Sequence, residues 1–562
     1  MTANRHAVVA LKEKELIRHV VVLTLVLGAL YALCQNGCWL PLGSDDAFHL
    51  DIARNLALGR GLTSNGAPVI HTPPGFPALL ASIMLVTPEF SILNWALVFL
   101  LLGAVIMWYL VLRRYTSPPK ALAVMLVVGI LFEWHRFSYT YYTESLSYFL
   151  LGAAMLLAVQ FGEGRSASWR VPLLALLCTA MVLANWRGLL SVILVCGALF
   201  TGQSRLSSGR PWAVLLLISF VSAATMFVTL NALENRAEHI RAQGLSEVDR
   251  ELADNALKKQ GGRLPKHLEI GPSEMLRRIT EAGEWFSLLL WPPATAAKKW
   301  PASKHVINLL GWLLIVFLSV RVVKAVRTSQ WIWVATAGFL AVLIIIRWYP
   351  LPRYFAPAAP LILLGIWDGL GQVVSAKAFA RTKRMIMGCA FAGLISVVAC
   401  NLAILVFQAW IVHSPDFHRK YLGGEYLDML RISEHLKAQA CGGGPVAVVA
   451  RYADLNRASS GEWVERSLSF MTDCRFLNPG KRIRSFADPE FPGWAERFHL
   501  NYVVTRPDKL ATRFWHFREP LLNLGGEPLR EPFYVLFEIE GGSLMPVRLP
   551  RVNDGVRRVP GL

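Results

Sequence analysis

Apolar runs separated by short polar segments recur along the chain from about residue 16 to residue 412. Several runs have about 17–25 residues, the length of α-helix that crosses a hydrocarbon core about 30 Å thick. The pattern predicts a polytopic α-helical membrane protein with about eleven spans. The predicted spans are Leu16–Gln35, Leu93–Leu112, Ala121–Trp134, Glu144–Phe161, Val171–Asn185, Gly188–Phe200, Pro211–Leu230, Val306–Val320, Trp331–Ile346, Ala356–Val373 and Met385–Val412.

One apolar run, Phe76–Val86, is too short to cross the bilayer. Its roughly 11 residues correspond to about 17 Å of helix. Three basic residues between positions 113 and 120 follow the next run. They face the cytoplasm, as the positive-inside rule requires, only if the short run does not cross. We therefore expect juxtamembrane helices at the membrane surface over about 46–58 and 74–88.

Basic residues also set the predicted orientation. Lys and Arg residues occur among the first 18 positions, before or at the start of the first span, which we expect to remain uncleaved. The N-terminus is therefore predicted to be cytoplasmic. Every short loop then assigned to the cytoplasm is basic. The same alternation places a long segment, about 231–304, and everything after residue 412 outside the cytoplasm.

The C-terminal tail, residues 413–562, is polar enough to form a separate soluble domain beyond the membrane region, 1–412. The candidate elements are strands Val446–Ala450, Tyr502–Thr505 and Tyr534–Glu540, and a helix at Leu427–Gln439. Short apolar β-branched runs and one helical run predict a small extracytoplasmic α/β domain.

The cysteines leave two possibilities open. Cys441 and Cys474 are the only cysteines of the tail. Outside the cytoplasm they either form a disulfide or remain two buried thiols. Cys34 and Cys38, near the outer end of the first span, are a weaker candidate pair.

The composition is typical of a membrane protein, and this affects how the net positive charge is interpreted. Of 562 residues, 54% are hydrophobic, and the mean hydropathy is +0.42. A net charge of +19 in a soluble protein would suggest a nucleic-acid partner. Here the basic residues lie in short loops between spans, where they set orientation and face anionic lipid. We expect membrane lipids as partners and no nucleic acid.

With this orientation, ionisable side chains from distant parts of the chain fall on the extracytoplasmic side. They are Asp45 and Asp46 after the first span, His71 before the short helix, Glu144 at the start of a span, Arg187 between two apolar runs, and Arg353, which is followed by Tyr354. Ionisable groups at membrane depth are costly and mark functional sites. A carboxylate there can act as a general base. Arginines can bind a phosphate bidentately and stabilise it as a leaving group.

Each of these residues also has a purely structural interpretation. Asp45 and Asp46 can cap a surface helix, and Glu144 can be a favourable charge at a helix N-terminus. Arg187 can extend to lipid head groups, and Arg353 can anchor the end of a span. His71 can be an ordinary loop residue.

The segment after Asp46 is amphipathic at helical spacing. Phe48, Ile52 and Leu56 form its apolar face. The opposite face carries His49, Asp51, Arg54 and Asn55. This pattern is typical of a helix lying in the membrane interface, so we expect the polar face to be wet.

Four segments together resemble motifs of the GT-C membrane glycosyltransferases, in particular the bacterial protein mannosyltransferase-like and aminoarabinose-transferase-like enzymes. Ser44-Asp45-Asp46-Ala47-Phe48-His49 resembles their first-loop acidic motif. His71-Thr72-Pro73-Pro74-Gly75 is similar to their Lys/His-x-Pro-Pro segment, and Tyr142-Thr143-Glu144 to their second acidic site. Arg353-Tyr354, followed by Pro357 and Pro360, resembles their Arg-Tyr-x-x-Pro segment. The resemblance covers about Leu16 to Val412.

The resemblance implies an inverting transfer of a sugar from a polyprenyl-phosphate carrier to an envelope acceptor, either lipid, glycan or protein, at the bacterial inner membrane. The implied roles are the base for Asp45, positioning of acceptor or donor for Asp46 and Glu144, and contact with the lipid phosphate for His71, Arg187, Arg353 and Tyr354. No cofactor is implied, and a divalent metal stays open. His71 stands where the aminoarabinose enzymes carry Lys, which argues against that sugar. Asp46 stands where many relatives have Glu.

Two other classes of function compete with this one. A lipid-sugar flippase or other transporter should have inverted repeats and polar residues along a path through the membrane. No repeat is apparent in the sequence. A non-catalytic assembly or sensor protein would not need these acids and arginines on one side. If the protein is an enzyme, Asp45, Glu144 and Arg353 are expected to line one external cavity.

Overall fold

A computed structural model describes the chain over a defined set of residues. These are 2–35, 44–70, 72–162, 169–200, 209–243, 247–248, 250–252, 271–291, 301–328, 330–346, 352–375, 382–413, 423–449, 460–477, 490–505, 535–540, 543–547 and 549. His71 and Cys38, both named above, lie outside the described residues.

The membrane region is built almost entirely from helices. In chain order they are α1 (Thr2–Ala32), α2 (Ser44–Ala57), α3 (Gly75–Val86), α4 (Phe90–Leu112), α5 (Pro118–Ile130), α6 (Phe132–His135), α7 (Glu144–Gly162), α8 (Arg170–Ala184), α9 (Gly188–Phe200), α10 (Gly209–Gln243), α11 (Pro272–Leu290), α12 (Pro301–Arg327), α13 (Trp331–Ile346), α14 (Ala359–Ser375) and α15 (Lys383–His413). A two-stranded hairpin of β1 (Thr63–Ser64) and β2 (Ala67–Pro68) follows α2. The chain is thus a polytopic α-helical membrane protein, as predicted.

Seven of the described helices are long and apolar enough to cross a membrane, and eight if α5 and the segment after it form one span bent by 70°. The bend falls at Leu131, inside the predicted span Ala121–Trp134. Every predicted span coincides with a helix, but α8, α9 and α13 are shorter apolar helices. A count of eleven therefore stays a prediction.

The short helix α3 has one buried and one exposed apolar side. Phe76, Leu80 and Met84 are buried, whereas Leu85 and Val86 are largely exposed. A helix of 12 residues reaches about 18 Å, well short of a hydrocarbon core. Both features agree with a helix in the membrane interface. The interfacial position itself stays a prediction.

The tail contains a small mixed sheet with helices on both faces, which confirms the predicted α/β class. Its elements are α16 (Gly423–Ala438), β3 (Val446–Val449), α17 (Ser460–Thr472), β4 (Phe476–Leu477), α18 (Phe491–Arg497), β5 (Tyr502–Thr505), β6 (Val535–Glu540) and β7 (Ser543–Pro546). The strand order is β4-β3-β5-β6-β7, with β3 parallel to β4 and β5 and the other pairs antiparallel. The boundary near residue 412 stays a prediction.

Alternate residues of the tail strands enter two different cores. Val446 and Val504 pack with the side of the sheet that faces α16 and α17. Ala447 and Val503 pack on the opposite side, with Phe498 and its neighbours. This is the two-residue period expected when both faces of a strand are covered.

The first of these tail cores is continuous with α2 and α3. It joins Leu50 and Ala53 of α2 and Phe76 of α3 to Phe470 of α17. The ring centroids of Phe90 and Phe470 are 6.0 Å apart. The tail is therefore packed directly onto the first loop of the membrane region.

The predicted wet face of α2 is wrong, because other parts of the protein cover it. The helix α17 packs on Asp51 and Arg54, whereas His49 bonds to the Tyr141 carbonyl oxygen and Asn55 to that of Thr63. His49, Asp51, Arg54 and Asn55 are all buried. Arg54 donates to the Phe470 carbonyl oxygen at 2.5 Å and to Asp51 Oδ1 at 2.9 Å. Polar spacing along a helix gives a polar face, but it does not say whether water or protein covers that face.

Two further contacts hold the tail to the first loop. Arg60 forms an ion pair with Asp473, directly after α17. Asn65 donates to the Phe476 carbonyl oxygen at 2.6 Å and accepts from the Phe476 amide at 2.7 Å.

Cys441 and Cys474 form a disulfide. Of the two possibilities for the tail cysteines, a disulfide or two buried thiols, the disulfide is therefore confirmed. Cys34 is a buried free thiol whose sulfur lies 4.0 Å from the Leu405 carbonyl oxygen.

Candidate active site

Glu144 is the first residue of α7 and a buried carboxylate of the candidate site. Its side chain is 6% exposed, and its Oε1 lies 3.7 Å from Arg187 Nη1 and 3.9 Å from Arg353 Nε. The N-terminus of a helix favours a negative charge at this position. Thr143 donates to Glu144 Oε2 at 3.3 Å and accepts from Asn185 at 2.9 Å, which links α7 to the turn that carries Arg187.

Asp45 lies in the first turn of α2 and is more open. Its side chain is 41% exposed, and its Oδ2 lies 3.9 Å from Nη1 of Arg353. Arg353 therefore contacts carboxylates from two distant parts of the chain, Asp45 and Glu144. A partly exposed carboxylate beside a largely enclosed arginine can accept a proton from an incoming group.

Asp46 holds the backbone that leads into Glu144. It is 1% exposed, and its Oδ1 accepts a hydrogen bond from the Tyr141 amide at 2.5 Å. His49, one turn further along α2, donates from Nδ1 to the Tyr141 carbonyl oxygen at 2.8 Å. Burial lowers the pKa of His49, and the nearby Asp45 only partly opposes this shift. The two side chains hold Tyr141, and with it the start of α7, in a fixed position.

Arg353 and Tyr354 lie in a 3₁₀ turn, Pro352–Tyr354, that neighbouring elements hold by its backbone. Tyr148 of α7 donates to the Arg353 carbonyl oxygen at 3.3 Å. Trp134 of α6 donates from Nε1 to the Ala356 carbonyl oxygen at 2.9 Å. Trp285 and Phe286 of α11 contact the ring of Phe355. This packing directs the Arg353 side chain towards the acids.

Tyr354 joins the two arginines. Its hydroxyl oxygen accepts from Arg187 Nη2 at 2.9 Å and from Arg353 Nη2 at 3.2 Å. The Arg187 guanidinium also lies 3.8 Å from the centroid of the Tyr354 ring. Both cations are therefore held at a fixed spacing, which suits an anion that accepts several N–H donors.

Electrostatics keep Arg353 fully charged in this setting. Burial alone would lower its pKa. The charge of Glu144, with Tyr354 and Asp45, outweighs burial, so the pKa of Arg353 lies above its ordinary value.

One cavity includes most of these groups. Glu144, Arg187, Arg353 and Tyr354 line it, together with Asn185 and with apolar side chains that include Phe339 and Leu343. The predicted shared cavity therefore holds Glu144 and Arg353 but not Asp45, which does not line it and contacts Arg353 at its edge. The cavity is narrow, about 30 Å³, and presents two guanidiniums and a carboxylate beside an apolar wall. The guanidiniums are donors of the kind that bind a phosphate, and a lipid phosphate requires this cavity to widen.

The segment after His71 lies beside the turn that carries Arg187. A Cβ atom at Gly75 would lie 2.8 Å from the Leu183 backbone at the end of α8. Only glycine allows the start of α3 to come this close. The Pro-Pro-Gly part of the predicted motif is therefore at the site.

The site residues predicted from sequence come together as far as the structure describes them. Asp45, Glu144, Arg187, Arg353 and Tyr354 form one connected set. Asp46 lies behind the set and contacts it through the backbone before Glu144.

Two solved structures share this arrangement of helices. One is apo ArnT from Cupriavidus metallidurans, with 12% sequence identity, a TM-score of 0.50, and coverage of 95% of this chain and 98% of that chain. The other is an oligosaccharyltransferase from Archaeoglobus fulgidus in complex with Zn and sulfate, with 12% identity, a TM-score of 0.51, and coverage of 94% of this chain and 73% of that chain. The chain has the GT-C fold.

That fold is the one implied by the sequence resemblance. No protein-family model matches the sequence, and no curated protein matches it. Structural similarity at 12% identity shows the fold alone, because one fold can carry many activities.

Sequence reasoning missed one residue of the site, Arg466 of α17. Its Nη1 lies 3.8 Å from Asp45 Oδ1. An arginine in a polar tail is unremarkable in sequence, whereas one inside an apolar run stands out. No feature of the sequence indicated it, because the polar spacing of α2 is the same whether water or protein covers that face.

A metal site is not evident among the residues that the structure describes. They include no group of three or more His, Cys, Asp or Glu side chains placed to hold a metal ion.

Proposed function

We propose that the protein is an inverting glycosyltransferase that moves a sugar from a polyprenyl-phosphate carrier to an envelope acceptor on the extracytoplasmic side of the membrane. The observation that carries this proposal is the contact of Arg353 with both Asp45 and Glu144, next to Arg187. One partly exposed acid and two arginines beside an apolar cavity are the groups that this reaction needs.

The reaction follows from the position of these groups. Asp45 accepts the proton of the acceptor nucleophile, whose oxygen attacks the anomeric carbon of the sugar. The bond from that carbon to the phosphate oxygen breaks, and the polyprenyl phosphate leaves with the bonding electrons. Arg187 and Arg353 stabilise the negative charge of the leaving phosphate. A single displacement inverts the anomeric configuration.

The remaining groups have supporting roles in this proposal. Glu144 and Tyr354 hold the two arginines at their spacing. Asp46 fixes the segment before Glu144, and His71 contributes to phosphate binding from the segment before α3. The two comparison proteins are named as ArnT and an oligosaccharyltransferase, and a glycosyl transfer here agrees with those names.

A transporter fits the described charges less well. A second charged cluster, Lys120, Arg321 and Asp368, lies away from this site. It involves the first turn of α5 and the later part of α14, whereas Arg353 precedes α14. Between the two clusters, α5 and α14 contribute apolar residues such as Val128 and Leu361 to a continuous core. A transport path needs polar groups through the bilayer.

Envelope glycans of a deletion strain test the proposal. Mass spectrometry should reveal the loss of one sugar mass from one envelope component. Wild-type protein should restore that mass, and Asp45→Asn, produced at the same level in the membrane, should not. Unchanged glycans in the deletion strain would reject the transferase, and full restoration by Asp45→Asn would reject Asp45 as the base.

A further inference from the structure

Arg466 belongs to the tail, yet it contacts the proposed base of the membrane region. Its Nη1 lies 3.8 Å from Oδ1 of Asp45, and Arg353 lies 3.9 Å from Oδ2 of the same carboxylate. Asp45 therefore sits between two guanidiniums, one from each part of the chain. Arg466 is 18% exposed, so its side chain is largely enclosed.

Aromatic packing restricts the Arg466 guanidinium. Its carbon lies 4.3 Å from the centroid of the Phe48 ring, on the same helix as Asp45. Phe48 and Asp45 are three residues apart and share one side of α2. The cation is thus held against α2 by a ring and a carboxylate together.

The position of α17 is fixed by buried contacts one turn further on. Arg54 of α2 donates to the carbonyl oxygens of Ser469 and Phe470. Asp51 accepts from the Ser469 hydroxyl at 3.1 Å. These groups are buried, so separating α17 from α2 would expose or strand several polar atoms. Arg466 therefore stays near Asp45 as long as the tail is packed on α2.

The two arginines have different tasks if the proposed function is correct. Arg353 lines the cavity that would hold the donor phosphate, and it also contacts Asp45. A bound phosphate and Asp45 then compete for the same guanidinium. Arg466 contacts Asp45 from the tail side and is not needed by the phosphate.

We propose that Arg466 is a positioning residue: it keeps the Asp45 carboxylate in place when Arg353 turns to the donor phosphate. The inference rests on the proposed function and assigns a role to the soluble tail in that reaction. The tail completes the catalytic site rather than forming an independent module. Without Arg466, Asp45 would depend on Arg353 alone and would hold it back from the phosphate.

A double-mutant cycle in donor binding tests this directly, because coupling energies isolate a pairwise effect. The probe is undecaprenyl phosphate, titrated into the purified full chain in detergent, with affinity measured for wild type, Arg466→Ala, Asp45→Asn and the double variant. Arg466→Ala should weaken binding about three- to fivefold, the range typical of one partly exposed ion pair. Asp45→Asn should tighten binding, because the competitor for Arg353 is gone. In the Asp45→Asn background, loss of Arg466 should have almost no effect.

Two further variants complete the design. Arg466→Lys keeps the charge and should recover part of the lost affinity. Arg497→Ala is the matched control, because this tail arginine pairs with Glu247 instead, and its affinity should equal that of wild type. Thermal unfolding of every variant checks that the tail remains folded.

The other outcomes distinguish a failure of the positioning role of Arg466 from a failure of the proposed donor. Equal weakening by Arg466→Ala with and without Asp45 would make Arg466 a direct phosphate ligand and overturn the positioning role. No weakening in either background would overturn it as well. If wild type does not bind undecaprenyl phosphate, the proposed donor fails, and the role of Arg466 fails with it.

Discussion

Nη1 of Arg353 lies 3.9 Å from Oδ2 of Asp45, so the first and the last motif of the membrane region meet at one point. Asp45 lies in the first turn of α2, and Arg353 precedes the helix α14. The distance is longer than a direct charge-assisted hydrogen bond of about 2.7–2.9 Å. The pair is therefore close enough to interact and loose enough for Arg353 to accept another anion.

Arg353→Lys should weaken use of the lipid donor. Arg353 contacts Asp45, Glu144 and the Tyr354 hydroxyl at once. Lysine keeps the charge but has one ammonium and cannot make these contacts together. We expect KM for the lipid-linked donor to rise about tenfold, which corresponds to roughly 1.4 kcal/mol, with a smaller change in KM for the acceptor.

The matched control for this change is Arg277→Lys on α11, an exposed arginine that pairs with Glu281. It should leave both KM values unchanged. Donor dependence that is the same in wild type and Arg353→Lys would remove Arg353 from phosphate binding.

Tyr354→Phe should separate the hydroxyl from the ring. The hydroxyl accepts from both Arg187 and Arg353, and hydrogen bonds to charged groups are worth about 1.5–3 kcal/mol. We expect kcat/KM to fall about 10- to 100-fold. Tyr354→Ala also removes the ring under Arg187 and should lose more activity, by about 0.5–2 kcal/mol. The control is Tyr109→Phe, which removes a hydroxyl bonded to His19 elsewhere in the membrane region. Equal activity in Tyr354→Phe and wild type would contradict the role of the Tyr354 hydroxyl.

The membrane half of the site could be predicted from sequence because its residues are exceptions to their surroundings. Glu144 and Arg353 interrupt apolar stretches, where an ionisable group is costly, and basic loops indicated that they share one side. The sequence could place them on the same side of the membrane as Asp45, but it could not predict that they contact it.

The tail half of the site could not be predicted in the same way. Arg466 lies among polar residues, where an arginine is common. The polar spacing of Asp51 and Arg54 is the same for a wet helix face and for one covered by another polar surface. Only the packing of α17 on α2 distinguishes the two, and that depends on contacts between residues far apart in sequence.

Removal of the tail disulfide should destabilise the tail. Cys441 and Cys474 close a loop of 33 residues, and the chain-entropy model gives about 3–4 kcal/mol for a loop of that size. The double variant Cys441→Ala/Cys474→Ala should release tail fragments faster in limited proteolysis. Cys178→Ala, which removes a buried thiol of α8, controls for loss of a cysteine; equal proteolysis rates in the double variant and wild type would contradict this prediction.

Acid should weaken the contact between the tail and the first loop through Asp473. Burial alone would raise the pKa of Asp473, but its hydrogen bond to Arg60 and the charge of Arg54 outweigh burial and lower it. A carboxyl group whose folded pKa is lowered stabilises the folded state above its unfolded pKa, about 3.9, and loses this effect as the pH falls through the folded value. Wild type should therefore unfold at a higher temperature than Asp473→Asn at pH 6, and the difference should begin to shrink as the pH falls below about 4 and vanish below the folded pKa. A difference that persists unchanged at pH 3 would contradict the assignment.

Arg54 and Arg60 should differ sharply in their contribution to tail docking, although both interact with Asp473. Arg54 is 2% exposed and also pairs with the fully buried Asp51, so Arg54→Ala leaves a buried carboxylate without its cation. Breaking such a pair costs about 3–5 kcal/mol. Arg60 and Asp473 are both about half exposed, and an ion pair of this kind contributes about 0–1 kcal/mol. Limited proteolysis should release the tail much faster in Arg54→Ala than in Arg60→Ala. If the two variants release it at the same rate, the buried pair is not what holds α17, and with it Arg466, against α2.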